Sequence, residues 1–268
     1  GLKNYWVAVG VMAGFCQGGG VGKCIAEWII DGEPSIDVWA MDVARFGNYA
    51  SPQYGTIKSS ENYERRFIMT FPNETLPKGR KQKTTALYDR FVSKGAVMGD
   101  SFGLESVLWF ANDPKDAYEE PTIKRSRSHD YVSKEVKNVR ENVGVTEIAN
   151  FSKHEFQGPD ARKFLDYVLA GRIPKPGRIC LNPMLTPKGK LYGDLTVACL
   201  NDNKFIVFGS GAVQEMHRRW FEKYLKDFNV IYKNRSDDFH GLALSGPKSR
   251  ELLQKLVREN ISNENFKF

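Results

Sequence analysis

Cysteine and histidine are scarce in this sequence, four of each among 268 residues, and their spacing removes metal chemistry first. Cys16, Cys24, Cys180 and Cys199 form no CxxC pair, and His129, His154, His217 and His240 stand far from them and from one another. No structural zinc set assembles from such spacing, and the thiols read as reduced, in a cytosolic setting. Long hydrophobic runs are missing too. No stretch approaches the roughly 18 apolar residues of a membrane-spanning helix, and residues 1–12 lack a charged segment leading into a long apolar core. No membrane partner is expected. With 41% hydrophobic and 12% aromatic residues, disorder is not the default, and the length suits one large domain or two small ones.

The charge is modestly one-sided, 39 Lys and Arg against 32 Asp and Glu for a net +7. The basic residues are scattered among acids, and only "KRSRSH" at 124–129 is dense. No aromatic residues interleave there as base stacking requires, so the run reads as a solvated loop and no nucleic-acid partner is expected. A basic nucleic-acid-binding module stays as an alternative resting on charge alone, and it predicts steeply salt-dependent binding.

The glycine run "CQGGGVGKC" at 16–24 fails both common phosphate-loop patterns. A GxxxxGK[ST] loop needs Gly at 17 and Ser or Thr at 24, where the chain has Gln17 and Cys24. A GxGxxG fingerprint started at Gly18 meets Lys23, and one started at Gly20 meets Ile25. "YWVAVGV" (5–11) alternates as a strand does, and "VGKCIAEWII" (21–30) puts Val21, Ile25, Trp28 and Ile29 on one helical face that stops at Gly32 and Pro34. The glycines are therefore expected at a strand-to-helix junction. There they either open the backbone to a planar or anionic ligand or permit tight helix packing, and the residues alone leave both readings open.

The segment ending in "CIAEWIIDGEPSIDVWAMDVARFG" resembles the C-terminal end of the flavin-binding domain in the dimethylglycine and sarcosine dehydrogenase family. The resemblance implies FAD contacts from Gly18, Gly19, Gly20, Val21 and Gly22, with a helix N-terminus stabilising negative charge on the reduced flavin. "LPKGR", "LYD" and "GAVMG" within 63–110 resemble the connector to a folate domain in the same enzymes. No spacing in it demands catalysis, and Arg80, Tyr88 and Asp89 read as structural.

From about 112 to 142 the composition turns polar, which suits an exposed excursion. Beyond it, "TEIANFSKHEF" reads as a strand and "GPDARKFLDYVLAG" as a helix closed by Gly171. "RICLNPMLTPKGKLYGDLTVACL" reads as a hairpin around Pro187, Lys188 and Gly189, and "NKFIVFGSG" as a further strand. The fold class is α+β, an antiparallel sheet with flanking helices. Trp220, Phe221 and Leu225 recur at core spacing in the helix after that strand, and His240 reads as a strand-end residue.

"GPDARKFL", "GDLTV" and "LALSGPKSRELLQ" resemble, in order, the N-terminal half of the aminomethyltransferase fold of the glycine cleavage T-protein. The resemblance implies tetrahydrofolate as a second cofactor, with Asp194 as the catalytic carboxylate facing its reactive nitrogens. Met184 and Leu185 would line the pterin pocket, and Phe208, Gly209 and Ser210 would bring backbone close to the pterin. "MLTPKGKL" departs from the family's turn at Thr186 and Lys190, which puts that turn's geometry in question.

Together these resemblances imply four segments: 1–47, the end of the FAD-binding domain; 48–111, the connector; 112–142, the excursion; and 143–268, a truncated folate-binding domain. They describe the middle of an oxidative demethylase passing a one-carbon unit from an N-methyl amine to tetrahydrofolate, with oxygen or an electron-transfer protein as acceptor. The location would be the cytoplasm, or the mitochondrial matrix in a eukaryote. Gly1 opens inside an alternating segment, so an internal piece of a longer polypeptide, inactive alone, is expected. The alternative from another class is a non-redox folate-binding protein of the same fold.

Overall fold

A computed structural model describes residues 4–266, and it divides the chain into two units, Gly1–Arg45 and Phe46–Phe268. In the first unit the expected strand at 5–11 is absent; those residues are irregular and mostly exposed. The helix is longer than its apolar stripe indicated. α1 runs Gly14–Asp31 and takes in every glycine of the run, with Gly32 at φ 78° receiving the left-handed cap. Its stop at Gly32 agrees with the sequence, because a residue without Cβ takes that conformation at no steric cost. Trp6 meets Trp28 edge to face, with ring centroids 5.4 Å apart.

The second unit opens with α2 (Pro52–Glu64), whose first turn is closed by the Ser51 hydroxyl accepting from the Tyr54 N–H at 3.1 Å. After α3 (Tyr88–Ser93), β1 (Ala96–Ser101) and β2 (Leu104–Phe110) form an antiparallel pair. Glu105, on β2, is 1% exposed. It accepts from Arg80 Nε at 2.7 Å, from Arg80 Nη2, and from the Lys81 N–H at 3.0 Å. Burial alone would push the Glu105 carboxyl up, but these donors outweigh it and hold it below the usual carboxylate range. Arg80 is thus structural, as its context suggested. Tyr88 lies under the Lys81 ammonium, 5.4 Å from its ring centroid, and Asp89 sits in the first turn of α3.

The stretch expected as an exposed excursion contains a helix, α4 (Ser128–Glu141), whose Tyr131 stacks on the buried Trp109 with centroids 4.9 Å apart. Its polar composition hid the helix, because one apolar stripe is enough to dock it. Within the basic run, Arg127 is tied to neighbours, over the Tyr118 ring at 3.9 Å and paired with Asp116 at 3.3 Å.

The single strand expected across 146–156 is two strands in different sheets. β3 (Gly144–Glu147) pairs with a late strand, and β4 (Phe151–Gln157) enters the main sheet. α5 (Ala161–Val168) follows; it ends at Leu169 in extended backbone rather than at Gly171. β5 (Ile179–Leu185), β6 (Leu191–Asn201) and β7 (Lys204–Ser210) form the expected hairpin and further strand. Then come α6 (Gln214–Leu225), β8 (Ile231–Asn234), β9 (Leu242–Ser245), which pairs with β3, and α7 (Ser249–Gln254).

The main sheet is five-stranded and antiparallel, in the order β5-β6-β7-β4-β8. Phe156, Leu195, Val197, Phe205 and Val207 alternate onto one face and meet Phe164 and Leu165 of α5 and Phe221 of α6, all fully buried. Phe221 and Trp220 are core residues, as read. The α+β architecture with an antiparallel sheet and helices beside it is what the sequence indicated.

Replacing Arg80 by Met leaves the Glu105 carboxylate buried without its counter-charge, and the expected cost is about 3–5 kcal/mol of unfolding free energy, read from the urea midpoint. The double replacement Arg80→Met with Glu105→Leu is expected to recover most of that loss.

Candidate functional site

Strand alternation sorts the expected site residues onto two faces. On β6, Gly193, Leu195 and Val197 point to the helix side, so Asp194 and Thr196 point to the other. Asp194 is exposed, pairs in register with Pro183, and its carboxylate makes no hydrogen bond or ion pair among the described residues. Thr196 pairs with Phe208, and Phe151 pairs with Ser210. Asp194 and Ser210 therefore lie at the same end and on the same open face of neighbouring strands. Exposed Leu185 and half-buried Phe208 share this face, while the Ser210 hydroxyl accepts from the Ala212 N–H at 3.3 Å and caps the turn that leads into α6.

Two expected residues face the other way. Met184 is fully buried among the helix-side core residues, so it lines the core and not the surface around Asp194. A Cβ on Gly209 would point into that core as well, 2.8 Å from Leu195, 3.0 Å from His217 Nδ1 and 3.1 Å from Ser152 Oγ. α6 sits against Gly209 on that side, which is reason enough for the missing side chain. Gly193 repeats the pattern, with its would-be Cβ 2.8 Å from His217 Nε2 and 3.2 Å from Met184.

The departure in the hairpin turn is absorbed locally. Thr186 N–H donates to the Lys190 carbonyl at 2.8 Å, and its hydroxyl accepts from the Lys190 N–H at 3.2 Å. Gly189 takes φ 76° between them. Thr186 does by side chain what turn residues with short polar groups commonly do.

The glycines of the first unit are not at a helix start. Gly18, Gly19, Gly20, Val21 and Gly22 lie inside α1, where their N–H groups are spent on the helix's own ladder. The partial positive charge expected at them belongs instead near Gly14, which follows the N-cap Ala13. What they do present is bare backbone: nothing lies within 4 Å of where a Cβ would fall on any of the four glycines. Lys23 pairs loosely with Glu27 at 3.6 Å.

Behind the open face lies a polar cluster that sequence reasoning did not assemble. His154 and His217, 63 positions apart in the chain, bring their ring centroids to 6.3 Å. Ser152, His154 and His217 are 0%, 0% and 1% exposed. His154 Nδ1 and the Tyr232 hydroxyl share a 2.8 Å hydrogen bond. Burial, with the neighbouring His217 and Arg218 adding to it, pushes the His154 pKa down to about 3. Burial pushes His217 to about 4, against a smaller opposite pull from the Tyr192 carbonyl. The legible signal was alternation in "SKHEF", which places Ser152, His154 and Phe156 on one face. On the opposite side of β4, Lys153 is 4% exposed and gives its ammonium protons to three carbonyls, Phe151 at 2.7 Å, Ala149 at 3.2 Å and Ser236 at 3.4 Å. His240 precedes β9 and meets Glu147 Oε1 at 3.2 Å. No cluster of three or more metal-ligating side chains, and no helix long and apolar enough to cross a membrane, occurs among the described residues.

Comparison with known proteins gives these features a context. The family described as GCVT N-terminal domain matches residues 87–268, more than half of the chain, and the FAD dependent oxidoreductase central domain matches 31–85. Human mitochondrial dimethylglycine dehydrogenase is 36% identical over 272 residues, covering all of this chain and 31% of its own length. The mouse mitochondrial pyruvate dehydrogenase phosphatase regulatory subunit is 30% identical, over 99% of this chain and 31% of its own. The chain thus spans about a third of the length of these curated relatives. Among solved structures, aminomethyltransferase T of the glycine cleavage system from Bartonella henselae aligns with a TM-score of 0.52 at 21% identity, covering 65% of this chain and 43% of that one. That likeness establishes the fold.

Two predictions follow from the buried histidines and the glycines that face them. In the unfolded chain His154 and His217 protonate near pH 6.5, but in the folded chain only near 3 and 4. Stability is therefore full above pH 6.5 and falls as pH drops toward 4, by up to about 1.4 kcal/mol per pH unit for each ring. Urea midpoints taken between pH 7 and pH 5 are expected to decline, and to decline less in His217→Leu. Separately, Gly209→Ala is expected to lower stability by about 1–3 kcal/mol through overpacking against Leu195, His217 and Ser152, measured the same way.

Proposed function

Because the chain belongs to the GCVT family, we propose that it is part of a flavin- and folate-dependent oxidative demethylase of N-methyl amines. The observation that carries the reading is the exposed, unpartnered carboxylate of Asp194 on the open sheet face, inside the segment that matches the folate-domain family. FAD, when bound, supplies a two-electron acceptor for the amine, and tetrahydrofolate supplies the nitrogens that take the methyl-derived carbon.

On this reading the Asp194 carboxylate accepts a hydrogen bond from an N–H of the folate amine. It orients that nitrogen toward the incoming carbon, stabilises positive charge there, and takes the proton released as the new bond forms. Leu185 and Phe208 give apolar walls on the same face, and Ser210 ends the neighbouring strand beside it. Met184 and Gly209 act from behind, by packing. The fit to FAD is steric: Gly18 and Gly22, one turn apart, leave a bare strip on one face of α1, and Gly19 and Gly20 bare the faces beside it, with Val21 between them in the chain. Their amides are engaged, so charge stabilisation on a flavin would come from groups other than these glycines.

The amine, of the dimethylglycine or sarcosine type, and the electron acceptor are chosen by residues outside residues 1–268, and the chain alone is expected to oxidise no amine. A mitochondrial matrix location goes with this reading in a eukaryote. A second reading, a non-redox folate-binding protein of the same fold, is favoured by one observation, the 30% identity to a protein named as a regulatory subunit.

The complete gene product separates the two. A flavin absorbance that bleaches when dimethylglycine or sarcosine is added supports the demethylase, and a colourless protein that binds folate supports the second reading. In the complete enzyme Asp194→Asn is expected to leave amine-driven bleaching intact and to lower one-carbon transfer to tetrahydrofolate about a hundredfold, the carbon escaping as formaldehyde. Undiminished transfer would remove Asp194 from the chemistry.

A further inference from the structure

Buried polar atoms in folded proteins nearly always have a hydrogen-bond partner, protein or ordered water. Ser152 Oγ, His154 Nε2 and His217 Nδ1 have none among the protein groups around them, although all three belong to residues at most 1% exposed. Leaving such groups unsatisfied in a core is costly.

Two of the three atoms lie close together, and the ring that carries the third is beside them. Ser152 stands opposite Gly209 in the β4–β7 register, and His154 stands two residues along on the same face. Ser152 Oγ and His217 Nδ1 both lie within 3.1 Å of the point where a Cβ on Gly209 would fall. They are separated by at most about 6 Å, the span that two hydrogen bonds of ordinary length cover end to end. The His154 ring lies 6.3 Å from the His217 ring, centroid to centroid.

We propose that Ser152, His154 and His217 hold a buried water beneath the Asp194 and Ser210 end of the sheet. The ligand has to be one that both donates and accepts. If the Tyr232 hydroxyl donates to His154 Nδ1, then Nε2 carries the ring proton and needs an acceptor. If Tyr232 accepts, Nε2 is bare and needs a donor. Water meets either case and reaches the serine hydroxyl as well, and buried waters commonly make about three such bonds. The depressed titration of both rings agrees, because neutral imidazoles keep one donor and one acceptor each. A metal ion is a poorer occupant. Only two nitrogens and one hydroxyl converge here, and no carboxylate or thiolate joins them among the described residues. Bridging β4 and α6, the water would stiffen the contact between α6 and the two strands that bear Asp194 and Ser210. The proposal does not depend on the folate reading.

The test is a crystal structure of the complete protein at a resolution that shows ordered water. The expected result is a density peak within about 3.2 Å of Ser152 Oγ and of at least one of the two imidazole nitrogens, lost in His217→Leu. Should that variant not fold, water-oxygen relaxation of the unaltered protein in solution serves instead, the expected result being a long-lived internal water. Absence of such a peak or relaxation signal, a direct Ser152 to His217 hydrogen bond, or an anomalous metal signal in its place would overturn the proposal.

Discussion

A helix comes close to a sheet's backbone only where the strands present no side chain, and this domain is organised around one such approach. His217 of α6 lies 2.8 Å from where a Cβ would stand on Gly193 and 3.0 Å from that position on Gly209, so two adjacent strands each yield a residue to one imidazole. Because side chains alternate along a strand, fixing Gly193 and Gly209 toward the helix fixes Asp194 and Ser210 toward the opposite surface. The proposed site inherits its orientation from a packing contact on the far side of the sheet. A one-residue slip of β6 against β7 would bury the Asp194 carboxylate against α6 and expose Leu195, at a cost in both desolvation and lost apolar burial.

The two surfaces of the sheet are treated differently by the chain. On the helix side, Phe156, Phe164, Phe205 and Phe221 are completely buried, and aromatic area of this size dominates the energetics of the domain. On the other, Ile179 and Leu181 are 67% and 68% exposed on the same surface that carries Asp194. Lys153 is the exception on that surface. Three carbonyl acceptors match the three protons of an ammonium, so this lysine ties the start of β4 to the turn at Ser236 as a charged group, even though burial lowers its pKa. Its donors are committed, which leaves the Asp194 carboxylate as the free charge on the strand beside Ser210.

Periodicity and turn chemistry made β5, β6, β7, α6 and the stop of α1 at Gly32 legible, since each depends on residues close in sequence. Asp194 was legible only through its motif; alternation then confirms which way it points. What stayed hidden depends on partners distant in the chain. The glycine run looked like a helix start because glycine is a poor helix former, yet the eleven residues from Gly14 to Cys24, before Ile25, are already helical in α1. The helix α4 was masked by a polar composition that Tyr131 and its stack on Trp109 override. The motif places Met184 and Gly209 near Asp194 in sequence but does not give the face that each turns to. Nothing local linked His154 to His217, whose meeting is set by how α6 crosses the sheet.

The ion pair between Arg80 and Glu105 bears on how the chain divides into functional parts. The two family matches meet between residues 85 and 87, but no structural break falls there. Lys83 exchanges backbone hydrogen bonds with the residues flanking Leu104 at the start of β2, its N–H to the Gly103 carbonyl at 2.8 Å and its carbonyl to the Glu105 N–H at 3.0 Å. The Lys83 ammonium then reaches Asp237 at 3.3 Å, beyond β8 of the main sheet. A segment assigned to the oxidoreductase side is therefore laid along a hairpin assigned to the folate side and fastened by a buried charge pair. Separating the two at the sequence boundary would strand Glu105 as an unpaired buried carboxylate and strip a strand edge of its partner. The physical seam of the molecule lies before Phe46, so the central oxidoreductase segment from there onward is best understood as part of the folate-domain structure.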